Sequence, residues 1–172
     1  MTDPGELLIR PMRVRPMQTG DIPRVIEIAG GLSDAPHWPV SAYVSALDLN
    51  AEPRRVALVA ETMVLDERES RTVVGFAVAS LVALEAEVES IAVAADARRL
   101  GIGSQLLCDL LVSLSELLVT RVNLEVRASN DPAIGLYKRR GFSETGRRIG
   151  YYADPVEDAV LLGLDLGGQK GG

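Results

Sequence analysis

A strand-to-helix turn constrains this chain more than any other feature. Residues 98–107, with the sequence RRLGIGSQLL, place two arginines and two glycines directly before a run of leucines. The leucines that follow recur every three or four residues, which predicts an amphipathic helix packed on a sheet. A helix N-terminus carries unpaired backbone N–H groups and the positive end of the helix dipole. The turn is therefore typical of a segment that receives an anion such as a phosphate.

The strand before this turn carries a break in its alternation. In the stretch LEAEVESIAV, apolar side chains alternate from Leu84 to Val88 and then resume at Ile91. This step of three residues implies one extra residue near Glu89 or Ser90, which is the sequence mark of a β-bulge. A bulge leaves backbone groups unpaired by the neighbouring strand, so the pattern predicts a slot where an extended ligand hydrogen-bonds to the main chain.

The rest of the chain alternates between helical and extended patterns, bounded by turn residues and glycine stops. A strand enclosed by two helices is expected inside a sheet covered on both faces. The predicted elements are a strand at 12–17, a helix capped by Thr19 that stops at 30–31, a short helix at 41–49, strands at 54–65 and 72–84 joined by a charged hairpin at 66–71, a strand at 121–128, a helix at 130–141, and a loop with a last strand at 147–166.

Composition limits the class of protein. The chain has 172 residues, of which 47% are hydrophobic, so we expect one domain at 1–166 and a disordered tail at 167–172. The net charge of -6 argues against a nucleic-acid-coating role. A single cysteine cannot form an intramolecular disulfide, and no leader or long apolar run is visible. We therefore expect a cytoplasmic protein with neither a membrane nor a nucleic-acid partner.

The spacing of the turn excludes two common phosphate sites. A nucleoside-triphosphate P-loop needs G-x-x-x-x-G-K-[ST], which is absent, and a dinucleotide G-x-G-x-x-G needs glycine where Leu106 stands. Taken alone, the arginines and glycines are equally compatible with a solvated charge pair at an ordinary turn.

Three longer stretches carry a family resemblance. Arg98, Gly101 and Gly103 fit the Q/R-x-x-G-x-G/A pattern of the GNAT family of N-acetyltransferases. The stretches SIAVAADARRLGIGSQLL, LEVRASNDPAIGLYKRRGF and RRIGYYADPVEDAVLLGL resemble its RimI type, which acetylates protein N-termini. The resemblance implies an α+β fold in three layers: a central mixed, mostly antiparallel sheet with a β-bulge, and helices on both faces.

The same resemblance implies acetyl-coenzyme A (acetyl-CoA) as co-substrate and no metal. The turn would cradle the pyrophosphate, the bulged strand would hold the pantetheine arm, and the residue that caps the next helix would contact the cofactor as well. The implied cofactor-binding residues are Ile91, Ala92, Val93, Arg98, Arg99, Leu100, Gly101, Ile102, Gly103, Ser104 and Asn130. Capping alone would also explain Asn130.

Two residues are candidates for proton transfer. Glu125 lies on the polar face of the strand RVNLEVR, and a polar row within a covered sheet favours a cleft, so Glu125 is the candidate general base. Glu87 and Glu89 are the reserve candidates. The resemblance places the catalytic tyrosine at Tyr137, as the proton donor to the departing thiolate.

The acceptor is less constrained. His37, Trp38, Tyr151 and Tyr152 are the candidate acceptor-binding residues, and packing roles also fit them. Gly150 departs from the asparagine usual in this type. The resemblance implies direct transfer to a protein N-terminus, the N-terminal alanine of a small-subunit ribosomal protein. A lysine side chain or small-molecule amine as acceptor, or a non-catalytic acyl-CoA-binding domain, remain alternatives, and the sequence leaves the oligomeric state open.

Overall fold

The computed structural model describes residues 12–32, 37–63 and 70–167 of the chain. Two single 3₁₀ turns, at 19–21 and 95–97, accompany the main elements. In the described part these elements are β1 (Met12–Pro16), α1 (Ile22–Gly30), α2 (Val40–Ala46), β2 (Arg54–Met63), β3 (Arg71–Val82), β4 (Glu85–Val93), α3 (Ile102–Glu116), β5 (Arg121–Arg127), α4 (Asp131–Arg139), β6 (Ser143–Ala153) and β7 (Val156–Asp165).

The strands form one sheet in the order β1-β2-β3-β4-β5-β7-β6. Neighbouring strands are antiparallel except for β4 and β5, which run parallel. A parallel pair needs a crossover connection, and α3 supplies it between β4 and β5. The predicted mixed, mostly antiparallel sheet is confirmed.

Adjacent residues of β3 show that helices cover both faces of the sheet. A side chain added at Gly75 would meet Leu106 and Ile102 of α3 at 3.1 and 3.4 Å, whereas Phe76 packs edge-on against Tyr43 of α2. Because successive strand residues point to opposite faces, α3 and α2 lie on opposite sides of β3. This arrangement confirms the three-layer α+β expectation.

The core is continuous across the layers. Its largest fully buried side chains come from α1, α2, α3 and the strands β2, β3, β5 and β7, where apolar burial is the main stabilising contribution. They are Tyr43, Phe76, Leu106, Leu107, Leu110, Leu114, Leu162, Val25, Val59, Val78, Val122 and Val160.

The structure corrects two local predictions. The segment predicted as a loop with one last strand forms two strands, β6 and β7, which pair with each other. Thr19 does not cap α1; the residue before the helix is Asp21, whose carboxylate accepts from the Gln18 N–H at 2.8 Å and pairs with Arg15.

Three expectations concern regions that the structure describes only in part. Most of the predicted hairpin at 66–71 and the tail beyond residue 167 lie outside the described residues, so the domain boundary at 166 stays a prediction.

Among the helices of the described ranges, none combines the length and apolar character needed to cross a membrane.

Candidate active site

The parallel strands β4 and β5 separate along their length. They pair over residues 85–87 of β4 and 121–123 of β5, and the described residues show no further pairing between them. Both strands continue for several residues, so the edge of β4 that faces β5 carries unpaired backbone groups from residue 88 onward. The gap opens toward the carboxyl ends of the two strands, and it contains the predicted Ile91, Ala92 and Val93.

The bulge lies at the beginning of this gap. Val78 of β3 pairs with Ser90, but the next residue, Ala79, pairs with Val88, so Glu89 is the extra residue. This confirms the bulge predicted from the interrupted alternation. Because a bulge bends its strand, it accounts for the departure of β4 from β5 after residue 87.

The glycine turn follows β4 at the open end of the gap. Gly101 adopts a left-handed φ of 77°, and a Cβ built on it would meet nothing within 4 Å. Gln105 is the first residue of α3 whose backbone N–H donates a helical hydrogen bond, to Gly101 O at 3.0 Å. Among the described residues, the N–H groups of Ile102, Gly103 and Ser104 have no acceptor. Free donors beside open space fit a phosphate ligand.

Three arginines surround this turn. Arg98 and Arg99 are exposed, as expected for residues that would meet phosphates from the solvent side. Arg140, at the end of α4, donates from Nη2 to Ser104 Oγ at 2.6 Å. Sequence reasoning did not select Arg140, although it belongs to the quoted stretch LYKRRGF, because its distance from the turn along the chain hides the contact.

Glu125 lies where β4 and β5 begin to separate. Glu87 of β4 lies opposite Asn123 of β5 in the parallel ladder. Glu125 lies two residues beyond Asn123, on the same face of β5. Its Oε1 lies 2.9 Å from Nε of Arg148, and its carboxylate also forms a hydrogen bond with the hydroxyl of Tyr151. Its side chain is only 19% exposed, so it is a shielded carboxylate with two partners from β6.

Two further carboxylates lie beside Glu125. Arg55 donates to both oxygens of Glu89, at 2.7 and 3.2 Å, and its guanidinium also lies over the ring of Trp38 at 5.7 Å. Glu87 forms no ion pair among the described residues, although the nearby charge of Arg148 lowers its pKa to a small extent. Partial burial, followed by repulsion from Glu125 and Glu89, raises the pKa of the Glu87 carboxyl above its usual range.

These groups form one acidic surface, which we call the acceptor groove. A cleft of about 350 Å³ at its α2 side is lined by Trp38, Ala42, Ser45, Arg55 and Glu89. The groove itself consists of Trp38, Arg55, Glu87, Glu89, Glu125, Arg148 and Tyr151. Three carboxylates and two arginines leave one unmatched negative charge, which suits a positively charged amine.

Tyr137 occupies a different environment. It is 8% exposed, packs edge-on against Phe142 with ring centroids 5.7 Å apart, and has no hydrogen-bond partner for its hydroxyl among the described residues. Burial raises its pKa to about 12. The hydroxyl therefore stays protonated at any physiological pH.

The remaining predicted residues lie in different surroundings, and of these Tyr151 contacts Glu125. Tyr151 reaches the groove, whereas Tyr152 packs under the guanidinium of Arg127 at 4.1 Å. His37 is exposed and precedes Trp38 in the chain, and no hydrogen bond or ion pair joins it to the charged groove residues in the described ranges. Asn130 caps α4, accepting from the Ala133 N–H at 3.3 Å, which already explains its side chain. Within the parts that the structure describes, no three His, Cys, Asp or Glu side chains are grouped to hold a metal ion.

Comparison with known proteins matches the same region. The model of the acetyltransferase (GNAT) family matches residues 31–142. The chain is 42% identical over 93 residues to the [ribosomal protein bS18]-alanine N-acetyltransferase of Escherichia coli, a match that covers 53% of this chain and 63% of that protein. The match thus spans less than two thirds of the E. coli relative. A putative enzyme of the same name from Bacillus subtilis is 32% identical over 153 residues, or 89% of this chain and 95% of the relative.

The fold agrees with this similarity. The crystal structure of the ribosomal-protein-S18-alanine N-acetyltransferase from E. coli superposes with a TM-score of 0.74 and 30% identity. The superposition covers 90% of this chain and 94% of that one. The sequence matches and the structural match therefore point to one family.

Proposed function

Because this chain belongs to the acetyltransferase (GNAT) family, we propose that it transfers the acetyl group of acetyl-CoA directly to the N-terminal amine of a protein. The acceptor that its relatives favour is the N-terminal alanine of the small-subunit ribosomal protein bS18. One observation carries the proposal: Glu125 lies at the narrow end of a gap whose open end holds the glycine turn, so one extended ligand can reach both.

The cofactor would lie along the gap. We propose that the N–H groups of residues 102–104 bind its pyrophosphate, assisted by Arg98 and Arg99, while Leu100 and Gly101 shape the turn. The open edge of β4 at residues 91–93 would hydrogen-bond the pantetheine arm as a neighbouring strand would. Asn130 lies after β5 on the opposite side of the gap. Acetyl-CoA supplies an acyl group that is already activated as a thioester.

Glu125 would act as the general base. An α-ammonium group has a pKa of about 7.7–8.0, so only a minor fraction is neutral at pH 7. Glu125 accepts its proton, directly or through a water, when the amine attacks. Glu87 is a second carboxylate on the same face, and its unmatched charge stabilises the ammonium before the proton leaves.

Tyr137 would assist the departing sulfur. A thiol has an ordinary pKa of about 8.5, so complete proton transfer from a tyrosine of pKa about 12 would cost about 5 kcal/mol. We therefore propose that the Tyr137 hydroxyl donates a hydrogen bond to the thiolate and that solvent completes the protonation. This role needs a protonated hydroxyl, which burial among apolar groups ensures.

A peptide acetylation assay tests the function. The wild type is incubated with acetyl-CoA and a panel of peptides, and mass spectrometry locates the acetyl group. We expect modification of the α-amine of an alanine-starting peptide and none on the same peptide with a blocked N-terminus and one internal lysine. Transfer to lysine or to small amines alone would contradict an N-terminal acceptor.

A binding experiment tests the cofactor site separately. Gly101→Asp places a negative charge beside the free N–H groups of the turn, so we expect acetyl-CoA binding to be largely lost in calorimetry. Gly101→Asn is the matched control, because it places a side chain of similar size at the same left-handed φ of 77° without the negative charge. Equal affinity in both variants would contradict the assignment of the turn.

A further inference from the structure

The end of α4 fixes the position of Arg140. Gly141, the next residue, adopts a left-handed φ of 94°, and its N–H donates to Lys138 O at 3.0 Å. The N–H of Phe142 donates to Tyr137 O at 3.1 Å, which completes a Schellman motif at the end of the helix. The motif therefore places Arg140 at a defined position in the same helix end that contains Tyr137.

The side chain of Arg140 extends from there to the first turn of α3. Its Nη2 donates to Ser104 Oγ at 2.6 Å and to Ser104 O at 3.4 Å. The two helices are in contact at this point, since a Cβ built on Gly103 would lie 3.6 Å from Cδ2 of Leu136. In the described ranges, Nε and Nη1 of Arg140 have no acceptor, so both remain available to a ligand.

The turn carries more positive charge than the protein itself neutralises. Among the described residues, Arg98, Arg99 and Arg140 form no ion pair, although the net charge of the chain is -6. Coenzyme A carries its negative charge in two places, the pyrophosphate and the phosphate on the 3′ oxygen of its ribose. The neutral N–H groups of residues 102–104 suit the pyrophosphate. A phosphate monoester holds about two negative charges, and a guanidinium binds such a group with paired N–H donors.

Arg140 approaches the turn from a different side than the other two arginines. Arg98 and Arg99 belong to the loop between β4 and α3, at the open end of the gap. Arg140 comes from the end of α4 and contacts Ser104, three residues beyond Gly101. The pantetheine arm leaves the pyrophosphate into the gap, so the adenosine, on the other side of the pyrophosphate, has to lie outside it. Arg140 is exposed outside the gap.

We propose that Arg140 binds the 3′-phosphate of coenzyme A and makes the protein select coenzyme A over its 3′-dephospho form. This inference rests on the proposed function, since it adds a residue to the same cofactor site. Ser104 would hold the guanidinium in place before the ligand arrives, which reduces the conformational entropy lost on binding.

Two ligands and three variants test this. Calorimetry measures the Kd of coenzyme A and of 3′-dephospho-coenzyme A. The wild type should bind coenzyme A about tenfold more tightly, as for one hydrogen bond to a charged group. Arg140→Gln should bring this ratio close to one by weakening the binding of coenzyme A alone, and Arg140→Lys should retain part of it.

Arg139→Gln is the matched control. Arg139 is the neighbouring exposed arginine, but its Nη1 lies 3.2 Å from a Cβ built on Gly135, so its side chain folds back along α4. The ratio of the two Kd values should be the same in Arg139→Gln and in the wild type.

The possible failures are distinguishable. A wild type that binds both ligands equally, or an Arg140→Gln variant that loses affinity for both by the same factor, overturns the assignment of the 3′-phosphate and leaves acetyl transfer intact. Unchanged binding of 3′-dephospho-coenzyme A by Arg140→Gln shows that the variant is folded. A wild type that binds neither ligand overturns the proposed function and this inference together.

Discussion

Two clusters of charged residues on the same sheet are built in opposite ways. The β1 ion cluster consists of Arg15, Asp21, Glu61 and Arg71, and the acceptor groove contains Glu87, Glu89 and Glu125 with Arg55 and Arg148. The β1 ion cluster contains two carboxylates and two arginines, whereas the groove contains three carboxylates and two arginines, and Glu87 forms no ion pair in the described residues.

The pKa directions follow this difference. The hydrogen bond from Arg15 is the largest cause that holds the pKa of Asp21 below its ordinary value. In the groove, burial and like charges raise the pKa of Glu87. Charges that only stabilise the fold are paired within it, while a site for a cation leaves a negative charge without its partner. Four substitutions in the two clusters test this contrast, and a fifth tests Tyr137.

The largest expected effect is on activity in the groove. Glu125→Gln removes the proposed base, so we expect kcat/KM at pH 7 to fall by about 100-fold or more, as for other general bases. With an α-amine acceptor, activity should partly recover between pH 7 and 9, because the amine loses its proton near pH 7.7–8.0 without help. A lysine acceptor, with a pKa of about 10.4, should show little recovery below about pH 9.5.

The pH profile of the variant is compared with wild type on both peptides. Glu144→Gln is the control, since Glu144 is an exposed carboxylate that pairs with Arg147 on the edge strand β6. Activity of Glu125→Gln equal to wild type throughout the pH range would show that Glu125 is not the base.

The second effect is on stability in the β1 ion cluster. Breaking a fully buried ion pair costs about 3–5 kcal/mol. Arg15 is 19% exposed, so Arg15→Met should lower the free energy of unfolding by a smaller amount, about 2 kcal/mol. Urea denaturation should show a lower midpoint with an unchanged slope, and kcat should stay at the wild-type value below the transition.

Arg147→Met is the control, because it breaks an exposed pair and should leave the midpoint unchanged. A midpoint for Arg15→Met equal to that of the control would show that the cluster does not stabilise the fold.

The sequence predicted what depends on local pattern. The extra residue near Glu89 or Ser90 appeared as a step of three in the apolar alternation, and the turn at Gly101 as two glycines before the leucines of α3. These features are set by residues close together in the chain, so one sequence suffices to find them.

Features that depend on distant pairing could not be predicted. The contact of Arg148 with Glu125 exists because of the register shift in β6, an exposed edge strand with weak alternation. That same weak alternation hid β6 itself, which was expected as a loop. Thr19 was expected as a cap, but Asp21 precedes α1, and Arg15, six residues earlier in the chain, donates to both of its oxygens at 2.8 and 2.9 Å.

Tyr137 lies in a third environment, which contains neither an ion pair nor a surplus carboxylate. Tyr137 is buried beside Phe142 with a free hydroxyl, so Tyr137→Phe should leave stability nearly unchanged. If the hydroxyl donates to a developing thiolate, its loss should lower kcat by about 10-fold to 100-fold, as for one hydrogen bond to a charged group. KM for acetyl-CoA should change much less.

Because the pKa of Tyr137 is about 12, the ratio of wild-type to variant kcat should be constant from pH 6 to pH 9. Unchanged kcat under conditions where chemistry limits the rate would exclude the donor role.

The smallest effect is the pH dependence of stability, and its sign differs between the clusters. Glu87 has a folded pKa above its ordinary value of 4.5, so the folded state holds this proton more tightly and stability falls as pH rises through the raised pKa. Glu87→Gln removes this loss and should be slightly more stable than wild type at pH 7, with the difference closing below about pH 4.

Asp21 has a folded pKa below 3.8, so its stabilisation is present above that value and lost as pH falls. Asp21→Asn should therefore be less stable at pH 7, and its deficit should shrink toward pH 3. Urea midpoints of both variants at pH 3 and 7 measure the two signs, and a Glu87→Gln variant that is less stable than wild type at pH 7 would contradict the unmatched charge in the groove.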